Sequence, residues 1–205
     1  MKSSKKQKLE IAALAAKLLA LEEAANFHAA KKKAASQLGL PENRNLPTNV
    51  EIEQALVQYQ GLFHAETQQQ QLLALRQKAM QAMKLLRQYS PVLVGPLVSG
   101  TATGSSEITI HLYSDHLEQV SLFLEENGIP NDYSEKHVRI NAREVSVFPA
   151  IKFIADGSPF LLVVFSKKDK NLNPVSSVSN KPMPCLDLKG LEELINRQQS
   201  SETLI

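Results

Sequence analysis

The hydrophobic period of this 205-residue chain changes at Ser90-Pro91. Before this dipeptide, apolar residues recur at the three- and four-residue spacing of an α-helix, and after it they alternate at the two-residue spacing of a β-strand. Proline has no amide proton and disfavours the α conformation in the residue before it, so a helix that precedes Pro91 should end there. The pattern predicts an α+β protein with three parts: a helical, basic N-terminal region over residues 1–89, a small mixed β-sheet domain over residues 90–198 and a frayed tail over residues 199–205.

The N-terminal region contains three predicted helical segments. Apolar residues from Leu9 to Leu38 fit one long helix or two short ones, with Gly39 as the stop. Thr48 and Glu51 have the spacing of a capping box, which begins a further helix that ends near Phe63. The last segment spans residues 67–89, and its predicted inner face consists of Leu72, Leu75, Ala79, Met83 and Leu86.

The positive charge of the chain is concentrated in this region. Residues 1–90 carry 13 lysines and arginines against 7 acids, whereas residues 91–205 carry 10 against 14. Basic helices can bind RNA, DNA or an acidic protein, but a run of charge is also common on a solvated helix face. The strongest candidate for nucleic-acid binding is the cluster Lys31, Lys32 and Lys33. No aromatic side chains are interleaved with these lysines for stacking on bases.

The compartment is predicted from cysteine content and apolar runs. A single cysteine, Cys185, cannot form an internal disulfide and is interpreted as a structural or incidental thiol. The polar N-terminus does not resemble a signal peptide, and the longest apolar stretch, Ile11 to Leu21, is shorter than the roughly 18 to 20 residues that a membrane span needs. We therefore expect a cytoplasmic protein without a membrane anchor.

Strand and turn signals follow one another after Pro91. Residues Glu107 to Tyr113 alternate cleanly, and the run Phe160 to Phe165 is continuously apolar, as is typical of a central strand covered on both faces. Asp156-Gly157 is a hairpin signal, and Asp115 and Asp187 are expected to cap helices. Further strands are predicted at residues 92–95, 138–142, 145–148 and 151–155.

The segment between the first two strands, Gly95 to Ser106, is rich in small residues. Small residues let a phosphate group approach the backbone amides closely. Alternation along the next strand would place Glu107, Thr109 and His111 in one row that faces the same pocket. The candidate catalytic residues are Glu107 and His111. The predicted nucleotide-binding residues are Gly95, Ser99, Gly100, Thr101, Ser106 and Thr109.

This stretch resembles the nucleotidyltransferase superfamily of the DNA polymerase β type. Gly95-Pro96 stands where the family has a Gly-Ser turn, and Gly100-Thr101-Ala102 is similar to the small-residue turn that often follows. Ser106-Glu107-Ile108-Thr109-Ile110 is similar to its Ser-Asp-hydrophobic-Asp-hydrophobic strand. The resemblance covers about Pro91 to Phe165, and the chain also resembles little-characterised bacterial proteins that join such a domain to a helical N-terminus. It implies a mixed sheet, a nucleotide ligand and Mg²⁺ as cofactor.

Several acids of the family pattern are replaced. The family holds two Mg²⁺ ions with two aspartates on one strand and a third acid on a later one. Here Glu107 and Thr109 stand in the first two positions, and the run Phe160 to Phe165, where the third is expected, contains no acid. Glu107 could hold at most one Mg²⁺, with nucleotide phosphates completing its coordination. The resemblance therefore implies a degenerate member that binds a nucleotide or phosphate group between Gly95 and Glu107 and is weak or inactive as a transferase.

Other interpretations of these residues stay open. Glycines serve any tight turn, Glu107 can cap the turn by accepting amide hydrogen bonds, and His111 can be a hydrogen-bonded histidine at a strand surface. Gly95 to Thr101 has the length of a P-loop but a threonine in its lysine position. The alternative function is a non-enzymatic module that binds nucleic acid or protein through the basic N-terminal helices, with the α/β domain as scaffold.

Overall fold

The computed structural model describes residues 2–40, 46–63, 65–141, 143–172, 174–176, 179 and 181–202. Within them the chain is an α+β protein with a six-stranded mixed sheet, as the change of period predicts. The helices are α1 (Lys2–Ala20), α2 (Phe27–Gln37), α3 (Asn49–Phe63), α4 (Ala65–Leu85), α5 (Pro96–Ser99), α6 (Leu117–Glu126) and α7 (Leu188–Glu202). The strands are β1 (Val92–Val94), β2 (Ile108–Tyr113), β3 (Asp132–Arg139), β4 (Val145–Ala155), β5 (Ser158–Phe165) and β6 (Cys185–Leu186). Two 3₁₀ helices span Arg87–Tyr89 and Lys167–Asn171.

The chain divides into two compact units, residues 1–69 and 70–205. Their boundary lies within α4 rather than at Ser90. The reason is that the predicted inner face of this helix is buried in the same apolar core as the sheet. Most of α4 therefore belongs with the strands, although its sequence period is that of the N-terminal helices.

The core of the first unit is built from small side chains on α1, α2 and α3. Ala15, Ala30 and Ala34 are fully buried beside Ile11 and Ile52. Alanine has no side chain beyond Cβ, so helices that meet through alanines can approach closely and fill the core at high density. The partly buried Phe27 of α2 packs against this cluster.

Capping residues set the ends of these helices. Asn26 Oδ1 accepts a hydrogen bond from Ala29 N at 2.9 Å, which begins α2 and separates it from α1, so the apolar pattern here corresponds to two helices. Gly39 adopts φ 65° just after α2, as expected of a helix stop. The predicted capping box is confirmed, since Glu51 N donates to Thr48 Oγ1 at 3.2 Å and Thr48 N donates to Glu51 Oε2 at 2.7 Å.

The strand order in the second unit is β3-β4-β5-β2-β1-β6. Strands β2 and β5 are parallel, and the other neighbours are antiparallel. Strand β1 pairs with β2, with Val94 opposite Thr109, so the two strands around the small-residue segment are neighbours. Strand β5 lies in the middle of the sheet and Phe160 to Phe165 are all buried, which confirms the interpretation of this apolar run.

The alternation of β2 divides its side chains between two covered faces of the sheet, one fully buried and one partly buried. The helix face carries Ile108, Ile110 and Leu112, which pack in one cluster with residues of α4, α6 and α7. The loop face carries Thr109, His111 and Tyr113. Its cluster consists of strand residues such as Val163 and Phe165, together with Ile140 and, from the segment after the second 3₁₀ helix, Leu172. That segment continues to Val175, whose N donates to Arg139 O of β3 at 2.9 Å.

The outer strands differ from the sequence prediction. Strand β4 is one continuous strand, where the sequence predicts two. Pro149 pairs with Glu135 of β3 but lies outside the pairing with β5, which starts at Ala150, so its missing amide proton removes no β4 to β5 hydrogen bond. Strand β3 begins at Asp132 instead of Val138, because the exposed residues of an edge strand are polar and show no apolar alternation. The predicted end of that strand, Ala142, lies outside the described residues.

Of the two aspartates expected to cap helices, one does so. Asp187 Oδ1 accepts from Gly190 N at 2.8 Å at the start of α7. Asp115 was expected to cap α6, but its Oδ1 accepts from Ser166 Oγ at 2.8 Å and from Lys167 N at 3.0 Å, joining the ends of β2 and β5. These two hydrogen bonds hold the pKa of the Asp115 carboxyl below its usual value. Helix α7 continues to Glu202, within the predicted frayed tail, and residues 203–205 lie outside the described part.

Candidate functional site

The turn between β1 and β2 contains two glycines with left-handed backbone. Gly95 has φ 81° and Gly100 has φ 82°, conformations that residues with a Cβ rarely adopt. An added Cβ would meet no atom within 4 Å at either position. The backbone conformation therefore requires these glycines, while the space beside them is open.

Most amides of this turn already have acceptors within it. Val98 N and Ser99 N donate to Gly95 O, and Gly100 N and Thr101 N donate to Pro96 O. A phosphate group would have to displace these hydrogen bonds before it could accept from the same amides. The backbone amides that were expected to bind a phosphate are therefore mostly occupied by hydrogen bonds within the turn.

The hydroxyl groups of the turn are satisfied locally as well. Ser99 Oγ and Thr101 Oγ1 lie 2.9 Å apart, and Thr103 N donates to Ser106 Oγ at 2.8 Å. The turn is also fixed from outside by Arg76 of α4. Its Nε and Nη2 donate to Leu97 O at 3.0 and 2.9 Å. The sequence does not predict this contact, because the helix that carries Arg76 has the apolar spacing of the N-terminal helices and was assigned to that region.

Thr109 and His111 lie on the loop face of the sheet. Thr109 is opposite Val94 on one side and Leu161 on the other, so its cross-strand neighbours are apolar. His111 is 5% exposed, and its ring centroid lies 4.8 Å from that of Phe165. Burial, with a smaller contribution from the charge of Lys136, lowers the pKa of His111 to about 4. The imidazole is therefore uncharged near neutral pH and packs as a core residue.

Glu107, directly before β2, lines a cleft of about 530 Å³. Lys152 of β4 and Asp132 of β3 line the same cleft and are cross-strand partners. Its apolar wall includes Phe153 and Phe160, whose rings stack with centroids 4.7 Å apart. The remaining lining residues are Pro130, Asn131, Ile154 and Pro159. The structure thus brings Glu107 together with charged groups that the sequence does not single out, and Thr109 and His111 are not part of this lining.

Two further side chains of the lining, Asn131 and Lys152, differ in whether they already have partners within the protein. Asn131 is fully engaged in joining α6 to β3, since its Oδ1 accepts from Ser121 Oγ at 2.7 Å and its Nδ2 donates to two carbonyls. Lys152, by contrast, makes no ion pair among the described residues. Lys152, Glu107 and Asp132 are therefore the charged side chains that this lining offers.

The residues around Glu107 do not fit the two-metal site of the resemblance. Thr109 replaces a carboxylate, and its apolar partners Val94 and Leu161 offer no oxygen ligand in the adjacent side chains. Across the described ranges, no group of three or more His, Cys, Asp or Glu side chains could hold a metal ion. Asp156 is not available either, since its Oδ2 lies 3.2 Å from Lys78 Nζ in an ion pair next to the β4–β5 turn.

The lysine cluster of the N-terminal region lies on α2 and is partly neutralised. Lys33 Nζ lies 3.0 Å from Glu23 Oε2 and also donates to Glu23 O. Partial burial is the largest cause of the lowered pKa of Lys31. Lys32 is exposed. Successive helix residues point about 100° apart, so the three ammonium groups do not form one patch on a single face.

Comparison with known proteins does not assign this chain to a family. No protein-family model matches the chain, and no curated protein gives a significant match. In the described part of the chain, no helix combines the length and apolar character required to cross a membrane.

Proposed function

We propose that this protein binds a nucleotide or a related phosphate-bearing ligand at the Glu107 cleft and has little or no nucleotidyltransferase activity. The observation that supports this is the placement of Lys152, which has no ion-pair partner in the part of the chain that the structure describes, in a cleft of about 530 Å³ with Glu107 and Asp132. Small-molecule pockets typically have volumes of roughly 300 to 1,000 Å³ and combine apolar walls with a few polar groups. The cleft has both properties.

The proposal assigns a role to each group of the cleft. Lys152 supplies one positive charge for the phosphates, which offsets only part of their charge because Glu107 and Asp132 are in the same lining. The apolar wall with Ile154 provides a surface for the base. Glu107 is the carboxylate from which one Mg²⁺ could take a ligand, with the phosphates supplying others. Asp132 lies three strands away from Glu107 in the sheet and could not bind the same ion. Mg²⁺ bound in this way would offset phosphate charge.

We expect weak catalysis because Thr109 and the residues opposite it on the neighbouring strands provide no carboxylate for a second metal ion. A two-metal mechanism requires a second ion that activates the attacking hydroxyl, and Val94, Thr109 and Leu161 provide no carboxylate for it. Each 1.4 kcal/mol of lost transition-state stabilisation lowers a rate by about tenfold. We therefore expect binding without transfer at ordinary enzyme rates.

The test is thermal unfolding of the full chain with ATP, GTP, CTP and UTP, with and without Mg²⁺. A ligand that binds only the native state raises the melting temperature. We expect at least one nucleotide to do so, and Lys152→Ala and Glu107→Gln to reduce the shift. Lys168→Ala, an exposed lysine outside the lining of this cleft, is the matched control. A nucleotide shift of equal size in Lys152→Ala, Glu107→Gln and the control would refute the assignment to this cleft.

The alternative of a nucleic-acid or protein-binding module draws its support from exposed lysines such as Lys5, Lys17 and Lys32. It has less support than the cleft, because Lys33 and Lys8 are paired with Glu23 and Glu51. If this alternative holds, the triple change of Lys31, Lys32 and Lys33 to alanine would lower the affinity for a polyanion and reduce its salt dependence. We expect no more than a threefold change at about 0.15 M salt.

A further inference from the structure

A second cleft lies at the other end of β2 from Glu107. Its volume is about 560 Å³, and Tyr113, the last residue of β2, forms part of its wall. The lining comes from six separate elements of the second unit: the 3₁₀ helix before β1, the segment around Pro91, β1, β2, the 3₁₀ helix after β5, and the start of α7. This end of the sheet is the carboxyl end of the parallel strands β2 and β5, where α/β sheets commonly bind ligands.

Three cationic side chains converge on this cleft from distant parts of the chain. Arg87, Lys170 and Lys189 all line it. Within the described residues none of the three makes an ion pair, and Lys170 Nζ contacts only a hydroxyl, Ser90 Oγ, at 3.3 Å. All three side chains are exposed, and together they give the cleft a local positive potential that favours a bound anion.

Two carboxylates also line the cleft, but they do not cancel the three cations. Asp187 is engaged in capping α7, where its Oδ1 accepts from Gly190 N. Glu192, one turn further along α7, is exposed and unpaired among the described residues. The lining therefore keeps a net positive charge of one, with its cations on three different elements.

The rest of the wall is apolar or aromatic. Pro91 is buried, and Val92 and Leu188 are partly buried. Burial raises the pKa of the Tyr113 hydroxyl, which therefore stays protonated and can donate a hydrogen bond. A ligand that fits such a wall has a flat or apolar body in addition to an anionic group.

We propose that this cleft binds a small phosphate monoester with an apolar or aromatic body. The phosphate would lie among Arg87, Lys170 and Lys189, and the body would lie against Tyr113 and Leu188. A phosphate dianion matches several cations better than a single carboxylate does, and a guanidinium can donate two parallel hydrogen bonds to it. None of these residues belongs to the Glu107 cleft, so the two clefts are separate sites.

The experiment is a calorimetric titration of the full chain with phenyl phosphate and with AMP. Benzoate and inorganic phosphate serve as comparison ligands that each lack one of the two required parts. We expect phenyl phosphate or AMP to bind at least fivefold more tightly than either comparison ligand, and the affinity to fall with rising salt. No detectable binding of either monoester at millimolar concentration would overturn the proposal.

Variants of the lining lysines test whether the monoester binds in this cleft or at another surface. The double variant Lys170→Ala/Lys189→Ala should bind the monoester at least tenfold more weakly, whereas Lys168→Ala on the same 3₁₀ helix should bind as the unchanged protein does. Lys170→Arg/Lys189→Arg keeps the charges and should retain most of the affinity. Equal binding by the double alanine variant, with the loss appearing in Glu107→Gln or Lys152→Ala instead, would place the ligand in the Glu107 cleft and overturn the proposal.

Discussion

The two faces of β2 have opposite sequence polarity, but both are covered: the helix face is fully buried, and the loop face holds the buried His111 between the partly buried Thr109 and Tyr113. On the helix face, Ile110 and Leu112 are fully buried under several helices, and on the loop face His111 is 5% exposed beside Phe165. The face that the sequence indicates as polar, and therefore as a possible active-site surface, is instead the second face of a central strand. Alternation thus reports which side chains share a face, and it does not report whether that face meets solvent.

The largest predicted loss of stability tests whether the helices cover one face of β2 more rigidly than the loop covers the other. Leu112 and Leu161 are nearly fully buried leucines on the helix face and the loop face, respectively. Leucine to alanine changes in cores cost about 2–5 kcal/mol, and the cost is smaller where the surroundings can collapse. We expect about 3–5 kcal/mol for Leu112→Ala and about 2–3 kcal/mol for Leu161→Ala, measured by urea unfolding. Equal losses would mean that the loop covers its face as rigidly as the helices cover theirs.

The second prediction uses the buried histidine of the loop face. The ordinary pKa of histidine is 6.5, and in the folded protein that of His111 is about 4. Between these values the unfolded chain binds a proton that the folded chain does not, so stability should fall as the pH drops from above 6.5 towards 4. The expected loss is about 3 kcal/mol at pH 4.

His111→Leu provides the control for this pH dependence. The difference in unfolding free energy between pH 8 and pH 4 should be smaller in this variant by that amount, whatever the other titrating groups contribute. If both proteins lose the same stability on acidification, His111 is accessible to protons and the loop face is open.

The smallest of these effects concerns Thr109, where an aspartate would restore one acid of the resemblance. If the loop face of β2 were a solvent-facing active site, Thr109→Asp would lower the unfolding free energy little and would raise transferase activity. Between Val94 and Leu161, a carboxylate loses hydration without gaining a partner. Because Thr109 is only partly buried, we expect a loss of about 1–2 kcal/mol. We also expect no transfer of label from ATP, CTP, GTP or UTP to RNA or protein. Label incorporation by the variant would show that the loop face can open to substrates.

The elements with strong local signals were predictable from the sequence. The capping box at Thr48 and Glu51 depends on four consecutive residues, and the Asp156-Gly157 turn depends on two, with φ values of 48° and 70° that those residue types tolerate. The central position of Phe160 to Phe165 followed from its unbroken apolar composition. Each of these signals is contained in a short stretch of chain, so no distant contact is needed to interpret it.

The candidate site was less predictable, because its groups are distant in sequence. Glu107 was identified, but its cleft partners Asp132 and Lys152 lie on an edge hairpin whose polar residues carry no distinguishing pattern. Asp115 had the position of a helix cap and instead joins two strand ends through Ser166. A side chain that can accept hydrogen bonds takes the best donors within reach, and which donors are within reach depends on the sheet.

The sequence by itself determined the α+β class, the change from helices to strands, and the division of β2 into two sets of side chains. These properties depend on residue periodicity and on local capping chemistry, both of which act over a few residues. Only the tertiary structure decided that α4 belongs with the sheet, that both faces of β2 are covered, and that the amides from Val98 to Thr101 bond within their own turn. Burial and hydrogen-bond satisfaction depend on neighbours brought together in space, and the order of residues along the chain does not specify those neighbours.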